Sequence, residues 1–147
     1  MFLTELLSNR PFITAALSWL AAQVLKFFIY WAIEKQVDWR RVWGSGGMPS
    51  SHTAFVVALM LSVGLTEGFG STLFAIAAAL MIIVVYDAMG VRYETGKQGQ
   101  IINKILEELF AGKPISDEHL KELVGHSPSE VVVGATVGIL MVLIMYL

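Results

Sequence analysis

The sequence predicts an all-α integral membrane protein: a bundle of four transmembrane helices with one or two amphipathic helices at the membrane interface. Three observations carry that expectation. The 147-residue chain is 56% hydrophobic with mean hydropathy +0.67, too apolar for a soluble domain of this size. Its apolar residues gather in runs at about 12–33, 50–66, 71–89 and 128–147, and a bilayer-crossing helix needs about 20 such residues. The charges gather in the connections, at about 34–49 and 90–127. At this length the whole of 1–147 reads as a single membrane domain.

The first run, Phe12 to Ile33, is long enough to cross and contains Gln23 and Lys26. Met1 to Arg10 carries acids and lacks a basic start and a small-residue cleavage site, so the run is expected to be a retained helix rather than a signal peptide. The second run crosses only if its polar start, Pro49 to His52, continues the same helix. It is joined to the third by Thr66-Glu67-Gly68-Phe69-Gly70, a tight turn that predicts an antiparallel hairpin. Between Gln98 and Ala111, Ile101, Ile102, Ile105, Leu106, Leu109 and Phe110 recur at helical spacing with Lys104, Glu107 and Glu108 opposite. That helix either lies in the interface or packs on the bundle. Ser116-Asp117-Glu118 predicts another short helix, stopped at Gly125. The fourth run ends the chain.

Both long connections are basic, with Lys35, Arg40 and Arg41 in one and Arg92, Lys97, Lys104, Lys113 and Lys121 in the other. The 66–70 turn has no Lys or Arg. Four crossings put both basic connections on one face, and the positive-inside rule makes that face cytoplasmic.

Two polar helix entrances open on that face. Gly46-Gly47-Met48-Pro49-Ser50-Ser51-His52 leads into the second run and Gly125-His126-Ser127-Pro128-Ser129-Glu130 into the fourth. Pro49 and Pro128 suit a first helical position. Helix N-termini offer N–H groups and the positive end of a dipole, which favours an anion shared between them. Each entrance carries a histidine, a side chain that exchanges protons near neutral pH. Phosphoryl transfer through histidine needs a nucleophilic imidazole and a proton donor for the leaving oxygen. Rings more than about 7 Å apart with no cation between them would make in-line transfer hard to build.

Glu130 has two readings that the pattern leaves even. It orients the His126 ring four residues earlier, or it closes a capping box by reaching back to the Ser127 N–H. Lys26 is a mid-span charge, expensive and typically functional, or else a snorkelling lysine near the interface. Arg40, Arg41 and Arg92 are candidate phosphate clamps; Arg40 and Arg41 also suit anionic headgroups and topology setting. Ser50, Ser51 and the backbone at Gly47 are further phosphate-binding candidates. Asp87 reads as structural, paired with Arg92 or Lys26. His119 reads as solvated. Trp31, Trp39 and Trp43 read as interface-belt residues.

The absence of cysteine excludes disulfides, thiol nucleophiles and thiolate metal sites. No cofactor is called for, and the acids and histidines show no metal-ligand spacing. The net charge of −2 gives no footprint for nucleic acid. The expected partners are membrane lipid and a phosphorylated lipid substrate. A homo-oligomer is compatible with the pattern and is the only form in which four spans would make a transport path.

Three stretches, Gly46 to His52, Tyr86-Asp87-Ala88-Met89-Gly90-Val91-Arg92 and Leu120 to Glu130, together resemble the divergent type-2 phosphatidic acid phosphatase family, related to acid phosphatases and vanadium-dependent haloperoxidases. The resemblance covers nearly the whole chain, Ala22-Gln23 and Lys26 included. It implies that His126 is the nucleophile, Glu130 its orienting carboxylate, His52 the general acid and Lys26 the first-motif lysine. Ser51 stands where the wider superfamily has glycine, and Ile33 and Leu120 stand where it has phosphate-binding arginines. The implied function is a membrane phosphatase hydrolysing a lipid phosphate or diphosphate monoester through a phosphohistidine. The alternative is a non-catalytic membrane protein that binds an anionic headgroup or a protein partner in the same pocket. The expected location is a bacterial plasma membrane, with the site on its cytoplasmic face.

Overall fold

A computed structural model describes residues 2–35, 47–109 and 126–147. Those residues are helical with no strand among them. The elements are α1 Phe2–Ser8, α2 Arg10–Glu34, α3 Ser51–Glu67, α4 Thr72–Met89, α5 Val91–Leu109 and α6 Pro128–Tyr146. Three stretches are long and apolar enough to cross a membrane: Arg10–Ala32, Thr72–Leu106 and Pro128–Tyr146, with mean hydropathies of 1.7, 2.2 and 2.0. The 17-residue α3 is apolar but shorter.

Local chemistry explains the boundaries. Asn9 caps α2, its side chain accepting the Phe12 N–H at 3.0 Å, so that helix starts before the apolar run does. Ser71 caps α4 in the same way through Phe74 N–H at 3.1 Å. Between α3 and α4, Gly68 takes φ +89, a conformation open to glycine. Two elements differ from the sequence expectation. α5 begins at Val91, directly after Gly90, rather than at Gln98, and α1 has no counterpart in the sequence expectation. Pro49 is not the first helical residue: it precedes the cap Ser50, and the Met48–Pro49 bond is cis. Pro128 does open α6. The short helix expected at 116 lies outside the described residues.

α3 is the central helix. It packs against α2, α4 and α6, whereas the backbones of α2 and α4 do not approach one another closely among the described residues. In lipid, helices associate by close packing rather than by hiding apolar surface from water, so small residues mark the contacts. One stripe of α2, Ala15, Ser18, Ala22 and Lys26, is buried, and Ser18 Oγ donates to Ala54 O of α3 at 3.0 Å. On α6, Gly134 and Gly138 lie against the backbone of α3 at Ser50 and Ala54. At the opposite end from the histidines, Arg10 Nη2 donates to Met145 O, its guanidinium stacks 4.3 Å from the Tyr146 ring centre, and Tyr146 OH donates to Ser62 O at 3.4 Å. The starts of α3 and α6 are thereby held side by side.

Candidate functional site

The start of α3 is built by its cap. Ser50 is extended (φ −69, ψ 110), and its Oγ accepts the Thr53 N–H at 3.3 Å and the Thr53 hydroxyl at 3.0 Å. Ser50 and Ser51 are buried, and the Ser50 hydroxyl accepts both bonds of the cap. Gly47 has φ +82 and faces α2: a Cβ there would sit 3.3 Å from Tyr30 Cε2 and 3.8 Å from Lys26 Cδ. The backbone angle favours glycine, and a Cβ would also need the Tyr30 ring to give by a few tenths of an ångström.

The start of α6 carries both readings of Glu130 at once. Ser127 and Glu130 form a complete capping box, with Ser127 N–H donating to Glu130 Oε2 at 3.3 Å. The same oxygen lies 2.8 Å from His126 Nδ1. A carboxylate only accepts, so Nδ1 donates in this bond and Nε2 is the ring nitrogen turned away from Glu130.

Backbone hydrogen bonds lock three elements together here. Ser50 N–H donates to Glu130 O at 3.0 Å, joining the two helix starts, and His126 N–H donates to Ala88 O at 3.0 Å, joining both to the end of α4. The His52 and His126 rings consequently face one another, centroids 6.1 Å apart and planes at 55°. His126 is 3% exposed, while His52 is open. Lys26 is 2% exposed, which excludes snorkelling, and it lies within electrostatic reach of Glu130.

The arrangement therefore gathers His52, His126, Glu130, Lys26, Gly47 and the Ser50–Ser51 backbone. Asp87 is half-buried in the last turn of α4, one residue from the carbonyl that holds His126. Arg92 belongs to α5, with its side chain outside the description. Arg40 and Arg41 lie outside the described residues, as do His119, Trp39 and Trp43. Among the described residues no group of three or more His, Cys, Asp or Glu is placed to hold a metal. Two contributors went unread in the sequence. Tyr30 lies one turn beyond Lys26 and packs on Gly47; its signal was the i, i+4 spacing. Gly134-x-x-x-Gly138 is the motif of close helix contact, and it brings the entrances together.

Helices of membrane-crossing length around a paired-histidine entrance define an integral membrane protein. The chain belongs to the Divergent PAP2 family, whose model matches residues 7–141. It is similar to the uncharacterized membrane protein YuiD of Bacillus subtilis (strain 168), 38% identical over 152 aligned residues that cover 96% of each chain. No solved structure matches the chain.

Proposed function

We propose that the protein is a membrane phosphatase that cleaves a lipid phosphate or diphosphate monoester through a phosphohistidine. The observation that carries this reading is His126, held through Nδ1 by Glu130 and facing His52 at 6.1 Å. His126 Nε2 donates its lone pair to phosphorus while the bond from phosphorus to the leaving oxygen breaks, and protonated His52 gives that oxygen its proton. In the second step neutral His52 takes a proton from water, the water oxygen bonds to phosphorus, and the P–N bond breaks. Inorganic phosphate leaves and both histidines are restored. Glu130 stabilises the imidazolium that forms. Lys26 and the helix N-termini offset the charge on the equatorial oxygens.

The reading includes four crossings, α3 being the short one, with the site on the cytoplasmic face of a bacterial plasma membrane. In the test, detergent-solubilised wild type releases phosphate from phosphatidate, phosphatidylglycerol phosphate or an isoprenoid diphosphate, and vanadate inhibits tightly as a mimic of the five-coordinate transition state. His126→Ala abolishes release while remaining folded; unchanged turnover in that variant rules the mechanism out. A second reading, a non-catalytic anion binder, is favoured by Ile33 and Leu120 at the superfamily arginine positions. It predicts vanadate or headgroup binding without phosphate release.

A further inference from the structure

At the end of the bundle remote from the paired histidines, a cavity of about 600 Å³ lies between the start of α2, the end of α3 and the start of α4. The phosphoryl chemistry has no use for it. Its walls are apolar, formed by Phe12, Leu59, Val63, Ile76 and Ala77. Its lining also holds two opposite charges, Arg10 at the first position of α2 and Glu67 at the last position of α3. Apolar walls with a few placed polar groups are the usual make-up of a small-molecule site.

The two charges are what the fold leaves unsatisfied there. The Asn9 side chain caps α2 and the Thr66 hydroxyl donates to Ser62 O, so both are engaged within the protein. Arg10 and Glu67 do not pair with one another. Among the described residues the exposed Glu67 carboxylate makes no hydrogen bond or ion pair. Arg10 Nη2 donates to Met145 O and the guanidinium stacks on Tyr146. A guanidinium has five N–H donors, so others remain for a second acceptor.

The neighbouring α1 sets the depth of this end in the membrane. Leu3 and Leu7, one turn apart on its surface, are 69% and 70% exposed. Two open leucines on one face, beside Glu5 and Ser8, suit the boundary between headgroups and acyl chains. Arg10 and Glu67 then lie at headgroup depth, with the apolar walls on the hydrocarbon side. An anionic headgroup meets Arg10 there but is repelled by Glu67. A headgroup that carries both a phosphate and an ammonium satisfies both.

We propose that this cavity binds a zwitterionic aminophospholipid of the leaflet at that end, with its phosphate on Arg10, its ammonium on Glu67 and its acyl chains against α3 and α4. This lipid is not the substrate, and the assignment does not depend on the phosphatase reading. It links α2 to α3 where Arg10 already ties α2 to α6.

In the test, full-length protein in an uncharged detergent is photolysed with a phosphatidylethanolamine that carries a diazirine in one acyl chain. Labelling is expected within residues 59–77. Unlabelled phosphatidylethanolamine displaces it about fivefold better than phosphatidylglycerol of the same acyl chains, an exposed ion pair being worth up to about that factor. Glu67→Gln brings the two competitors level. Glu67→Lys reverses their order, and a lysine suits a helix C-terminus, so α3 is kept. Equal displacement in wild type, or an order that survives both substitutions, means general lipid contact and overturns the site. Labelling that is absent, or confined to the histidine end, overturns it as well.

Discussion

Glu130 Oε2 receives two hydrogen bonds, one from the helix cap and one from His126. Glu130→Gln keeps an acceptor for the Ser127 N–H but removes the charge that stabilises a His126 imidazolium. The expected outcome is a kcat lowered by about 10²–10⁴, as when the acid behind a catalytic histidine is made an amide, with stability changed by less than about 1 kcal/mol. Turnover and thermal unfolding on the same sample separate the two; a stability loss with full activity would leave Glu130 as a cap alone. Lys26 poses the complementary question. It is a buried cation whose nearby charge is Glu130. A buried ion pair is weak evidence for stability, since desolvation opposes the attraction. Lys26→Met, which keeps the stem against Gly47, is expected to weaken vanadate competition by about tenfold or more, one charge-assisted contact being worth about 1.5–3 kcal/mol. Vanadate inhibition equal to wild type would reduce Lys26 to packing.

The element that sets the site is α6, through two glycines. A Cβ at Gly134 would overlap the Ser50 carbonyl, and one at Gly138 would approach Ala54 O to 2.8 Å. Those neighbours are α3 backbone and cannot turn aside. Gly134→Ala is expected to cost roughly 1–3 kcal/mol by overpacking and to lower activity with it, because moving α6 strains the Ser50 N–H to Glu130 O bond between the entrances. Gly64→Ala is the control. Its Cβ would meet the Phe69 ring, an exposed side chain on a turn that swings away, while alanine gains up to about 1 kcal/mol of helix propensity. Unfolding midpoints of the two variants should move apart; equal losses would contradict the packing account. The same contrast shows what was legible beforehand. Hydropathy displayed the apolar runs, and the Ser/Pro/Glu pattern displayed the start of α6, because both are local in sequence. The pairing of His52 with His126 followed from charge placement, and the family resemblance assigned its roles. That Glu130 both caps and orients, that Tyr30 backs Gly47, and that α2 and α4 stand apart were not legible. These depend on how faces of separate helices meet, which periodicity within one helix does not encode.

At the scale of the whole molecule, the paired histidines and the Arg10–Tyr146 contact mark opposite ends of the bundle. The histidines lie at the ends of the helices next to the basic segments, and Arg10, Glu67 and Tyr146 lie at the other. An arrangement with α3 lying short of a full crossing would put the α3–α4 turn inside the bilayer. Exposed Glu67 and three exposed loop residues after it would then sit in hydrocarbon, and a single acid there costs about 2.5–3.5 kcal/mol even on permissive scales. A full crossing puts that turn in water on the face opposite Lys97 and Lys104. The chain contains no cysteine, so single-cysteine variants report position directly. Gly70→Cys and Lys104→Cys, treated in intact cells with a membrane-impermeant maleimide, are expected to differ: the first labels at once and the second only after permeabilisation. Reversal of the two would move the histidines to the outer face and leave the bundle intact. Protection of Gly70→Cys both before and after permeabilisation would mean that α3 does not cross, and with it the four-crossing topology would fall.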